Sequence, residues 1–155
     1  MDLTTLDGQM GDLVWCFYNS LRASYNILQV LDILSREAPE PARSACKSLF
    51  DELYASVPGA EDIVNYDQAR TYPWNIPMVE ALERWKKAYP SPHIAKVADK
   101  ILERQRFGGH LGDLLEPLEA EFISQSGSDP AFYPLMRQQE VEIGAPLPER
   151  AREKL

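Results

Sequence analysis

The stretch LVWCFYNSLRASYNILQVLDIL, residues 13–34, decides the fold. Leu13, Phe17, Leu21, Leu28, Leu31 and Leu34 recur at helical spacing. Ile27, Val30 and Ile33 widen that stripe until it is apolar nearly all round. The pattern predicts one long helix over about residues 10–36, central to the fold or covered by a partner. Arg22, Asp32 and several polar residues interrupt it, which excludes a membrane span.

Outward from this segment the periodicity stays helical. Pro39-Glu40-Pro41 ends the first helix and starts the next. Ala45, Cys46, Leu49, Phe50, Leu53, Tyr54 and Val57 give an amphipathic face that stops at Pro58-Gly59. A short helix is expected over about 60–70. Val79, Leu82 and Trp85 mark a helix over about 77–88. Ser91-Pro92 has the N-cap and first-position chemistry of a helix start. The apolar side of that helix is Ile94, Val97, Ala98, Ile101 and Leu102, and it ends at Phe107-Gly108-Gly109. Leu114, Leu115, Leu118 and Phe122 give one more helix. Alternating strand patterns are missing, apart from a brief candidate at Val141 to Ile143. The expected fold is therefore all-α: a compact bundle of about five to six helices with an irregular, partly mobile C-terminal tail. Residues 1–125 form the bundle. Residues 126–155 form a linker, a short helix and a tail that packs on the bundle or on a partner.

Composition limits the function classes. The 155-residue chain carries a net charge of −8, which disfavours nucleic acid as the main partner. It suits a soluble protein and a basic protein partner. The start MDLTTLDGQMGD lacks the basic region of a signal peptide, so a cytoplasmic location is expected. Cys16 and Cys46 read as reduced thiols packed in apolar helices.

DGQMGDLV at 7–14 and GGHLGDLL at 108–115 share glycines and a Gly-Asp-Leu core. The likeness does not continue beyond them, so both read as helix starts. Asp113 and Glu116 have capping-box spacing, which would put Pro117 at a harmless fourth position. Asp12 would cap the first helix in the same way.

Two candidate sites follow. Residues 84–106 hold seven bases against two acids, whereas residues 1–83 carry a net charge of −8. Lys96, Lys100 and Arg104 share one helix face, and Arg106 leads into the turn at Gly108, Gly109 and His110. Glycine lets backbone N–H groups approach a ligand, and the next helix start favours an anion. This is a candidate phosphate or carboxylate site, although the phosphate-loop pattern GxxxxGK[ST] is missing. The second candidate is aromatic. TYPWNIP, residues 71–77, places Tyr72 and Trp74 on a proline-stiffened loop, and Tyr133 and Met136 lie on the short C-terminal helix. Such side chains suit protein contacts. His93 is expected at the surface. Neither histidine has HxxxH or ExxH spacing, and no metal or other cofactor is implied.

The favoured reading is a non-enzymatic interaction module of a cytoplasmic complex, with a protein partner or self-association and no membrane. An anion-binding protein or enzyme built on residues 96–113 is the alternative.

Overall fold

A computed structural model describes residues 3–56 and 76–152. They are all-helical. The helices are α1 (Leu3–Arg22), α2 (Ile27–Glu37), α3 (Ala42–Ser56), α4 (Ile76–Ala88), α5 (Pro92–Phe107) and α6 (Leu111–Ser126). A 3-10 turn, Pro130–Phe132, leads into α7 (Tyr133–Ile143), and a single turn, α8 (Glu149–Arg152), follows. The short helix expected over 60–70 lies outside the described residues, as do Tyr72 and Trp74.

The expected helix over 10–36 is two helices. α1 begins at Leu3, well before Asp12, and ends at Arg22. Ser24 takes φ 77°, a left-handed turn, and Asn26 starts α2. The Asn26 side chain accepts from the Gln29 N–H, and the Gln29 side chain accepts from the Asn26 N–H, each at 2.9 Å. This reciprocal cap satisfies two helix-end donors and fixes the break. The apolar stripe continues across the break, so periodicity alone could not show it.

From α2 to α6 each helix packs on the next. α1 packs on α6, α2 and α3 and closes the ring. Leu6, Met10, Val14 and Cys16 on α1 are fully buried, as are Leu28, Leu34, Leu49 and Phe122. Trp85 donates its indole N–H to the Ala45 carbonyl at 2.9 Å, so its one polar atom is satisfied in the core.

α1 and α6 run antiparallel, and the two glycine stretches lie at opposite ends of this pair. A Cβ on Gly11 would stand 2.4 Å from Ile123 Cδ1, and one on Gly112 would stand 3.1 Å from the Tyr18 carbonyl oxygen. Both glycines allow close approach of two helices. Neither aspartate caps a helix. Asp12 lies inside α1 and is fully buried. The N-cap of α6 is His110, whose Nδ1 accepts from the Gly112 N–H at 3.0 Å. Pro117 consequently falls inside α6, on its exposed side, rather than at the fourth position.

The segment after α6 is fixed to the bundle. Phe132, Tyr133 and Met136 are buried, and α7 continues through Ile143, so the strand expected at Val141 to Ile143 is helix instead. An irregular stretch follows Gly144, which ends α7 at φ 73°. Ala145 and Leu147 are buried along it, as is Ala151 on α8. Tyr133 and Met136 thus dock on this chain's own bundle and are not free surface for a partner.

Candidate functional site

The basic helix is α5. Lys96 is paired with Glu121 on α6, and Lys100 lies 3.2 Å from Glu103. Arg104 is partly buried near the end of α5, and Arg106 and Phe107 are exposed. Gly108 and Gly109 have φ 80° and 93°, conformations that favour glycine, and open space surrounds them. At the α6 start, the His110 ring already holds the Gly112 N–H. Asp113 adds a carboxylate to the first turn, and Arg22 holds its carboxyl below the usual range. The chain's own groups therefore take up this helix start and both of the lysines expected to bind an anion.

His93 is buried, contrary to the expectation of a surface position. Its ring stacks on Phe122 at 4.2 Å, and Nε2 lies 2.8 Å from Ser126 Oγ. Burial pushes its pKa below the usual histidine value, against the nearby carboxylates of Asp7 and Glu121. Ser126 sits at the C-terminal end of α6, where the helix dipole disfavours a growing negative charge. The pair suits a structural tie better than an activated nucleophile. Ser91 caps α5 and donates its hydroxyl to Asp7 on α1.

A third group was not anticipated as a site. Arg150 on α8 reaches into the α1–α6 pair. Its Nε donates to Asp12 Oδ1 at 2.9 Å, and Nη2 lies 2.8 Å from Glu119 Oε2. The backbone N–H of Asp129 donates to Asp12 Oδ2 at 2.9 Å. The Tyr18 hydroxyl donates to Glu119 Oε1 at 2.6 Å. Arg22 lies over the Tyr18 ring at 5.1 Å and pairs at 2.8 Å with both Asp113 and Glu116. These groups form one polar seam along the helix pair. Burial raises the Asp12 pKa, against the hydrogen bond from Asp129 and the charge of Arg150. Burial also works against the Arg150 charge, but the Asp12 and Glu119 carboxylates outweigh it and raise its pKa.

Gln9, also buried on α1, ties two further segments to the seam. Its amide donates to the Glu40 carbonyl and to Asp129 Oδ2, and its oxygen accepts from the Ala42 N–H, all at 2.9 Å.

Beside the seam runs an open groove of about 650 Å³. Pro117, Ala120 and Ile123 of α6 form its apolar floor, and Tyr18 and Arg150 form further walls. Glu116, Glu119 and Ser124 add polar atoms. One sequence signal could have found this group: Asp12 directly precedes the apolar run from Leu13 to Phe17. Its partner, 138 residues away, carried no signal.

Among the described residues no group of three or more His, Cys, Asp or Glu is placed to hold a metal ion. No described helix is long and apolar enough to cross a membrane. Cys16 and Cys46 are free and buried, and burial raises the pKa of both thiols, that of Cys46 to about 12. No protein-family model matches the chain, nor does any curated protein or solved structure.

Proposed function

We propose that this chain is a non-enzymatic interaction module, an accessory subunit, inhibitor, immunity-like or assembly factor of a cytoplasmic complex. The groove on α6 carries the reading. It is open, and Pro117, Ala120 and Ile123 line it together with the polar side chains of Glu116, Glu119, Ser124 and Arg150. Apolar centres with polar rims are the usual anatomy of protein contacts. The seam next to it uses its charged groups to hold helices together, a structural rather than a chemical task. The net charge of −8 favours a basic partner.

Light scattering of the purified protein, with affinity capture from its native host, tests the reading. A stoichiometric protein partner or a defined oligomer is expected. A monomer from which no partner is recovered contradicts it. The anion-binding alternative gains no support from the turn at Gly108-Gly109, where His110 takes the Gly112 N–H. Thermal shift with inorganic phosphate gives that alternative its own test: no shift is expected. A shift abolished by substituting Arg104 and Arg106 would establish it.

A further inference from the structure

The following rests on the interaction reading and names its surface and partner chemistry. The seam beside the groove contains four carboxylates, those of Asp12, Asp113, Glu116 and Glu119. Among the described residues two guanidinium groups, Arg22 and Arg150, face them, and each is shared by two acids. Negative charge is therefore in excess. Glu116 is the most accessible of the groove carboxylates, with about half of its side chain exposed (52%). Next to it in the chain, Pro117 brings no N–H to the carbonyl of Asp113 one turn back, so that oxygen lacks its usual helical donor. Acceptors thus outnumber donors along one edge of an apolar floor.

We propose that this groove docks an amphipathic basic segment of a partner protein. The segment's apolar face lies on Pro117, Ala120 and Ile123. A lysine or arginine flanking that face meets Glu116 and the Asp113 carbonyl. Ala120 is exposed and small, so a helix backbone can approach closely there. Arg150 fixes the neighbouring wall through Asp12, which keeps the groove preformed and lowers the ordering cost of binding.

The test is a nuclear magnetic resonance titration of the intact chain with a synthetic leucine–lysine amphipathic helix. A leucine–glutamate helix of equal length is the control. The expected shifts fall on Tyr18 and on residues 116–124, with the lysine peptide only. Ala120→Glu separates docking from simple attraction, because it adds negative charge while spoiling the apolar floor. It is expected to weaken binding roughly tenfold or more. Stronger binding by Ala120→Glu, equal binding of both peptides, or shifts confined to other helices would overturn the proposal. A natural partner captured equally well by wild type and Ala120→Glu would overturn the groove but leave the interaction reading standing. Absence of any partner would remove the reading itself.

Discussion

Arg150 closes the longest ion pair of the described chain, reaching back 138 residues to Asp12 at 2.9 Å. Asp12 is fully buried in the middle of α1, and the same carboxylate holds the Asp129 N–H. One side chain thus fastens both ends of the C-terminal segment to the bundle. Breaking a buried pair from one side strands the other charge, which typically costs about 3–5 kcal/mol. Arg150→Ala is expected to fall in that range by urea denaturation. Asp12→Asn added to Arg150→Ala should recover part of the loss, because the fully buried Asp12 charge is no longer left alone. Additivity of the two changes to within about 0.5 kcal/mol would show that the residues are not coupled.

The pH response of Asp12 has a definite sign. Its folded pKa is raised above the ordinary value of 3.8, with burial as the leading cause. Between 3.8 and that higher value the folded state binds more proton than the unfolded state, so this residue's contribution to stability falls as pH rises through the window. Asp12→Asn should remove that component from a denaturation series between acid and neutral pH. An unchanged pH profile contradicts the assignment.

His93 acts in the opposite direction. Its folded pKa lies below 6.5, so it contributes stability that is fully present above 6.5 and is lost as pH falls through the folded value. Lys96 adds to the lowering, whereas Asp7 and Glu121 oppose it. His93→Gln should flatten the slope of stability against pH just below 6.5. A slope that persists in the variant would place its origin elsewhere.

Gly11 should show a reversal of sign. Alanine favours a helix by about 1 kcal/mol over glycine. At this position, however, the new methyl meets Ile123 Cδ1 at 2.4 Å and Cγ1 at 2.7 Å. Overpacking costs about 1–3 kcal/mol, so Gly11→Ala should lower the melting temperature. In an Ile123→Ala background the clash is gone, and the same substitution should raise it. Stabilisation by Gly11→Ala alone would mean that α1 and α6 are further apart than described.

His110 distinguishes a cap from a ligand-binding residue. His110→Ala should cost about 1 kcal/mol through loss of the N-cap, whereas His110→Asp should retain the stability. Equal loss in both variants would contradict the capping role.

The sequence shows the helices wherever end signals coincide with periodicity. Ser91-Pro92 and Gly108 bound α5 as read from their chemistry. The break at 23–26 was hidden because Leu21 and Ile27 continue one apolar stripe. Its visible trace was Asn26 three residues before Gln29. Asp12 and Asp113 have the same Gly-Asp-Leu surroundings, yet one is buried on Arg150 and the other is exposed on Arg22. Only tertiary pairing separates them. Tyr133 and Met136 have the residue types of a contact surface, but burial of their own helix uses them. The groove escaped notice because Pro117, Ala120 and Ile123 are neither periodic core nor aromatic anchors.

The most direct measurement places a photo-crosslinking phenylalanine analogue at Ser124, an exposed residue lining the groove, in the native host. Control positions are Phe107 and Val141, the most exposed large apolar side chains among the described residues at 82% and 80%. A discrete protein adduct from position 124, absent at 107 and 141 and suppressed by the leucine–lysine peptide, is the predicted result. Adducts from 107 or 141 with none from 124 would contradict the account.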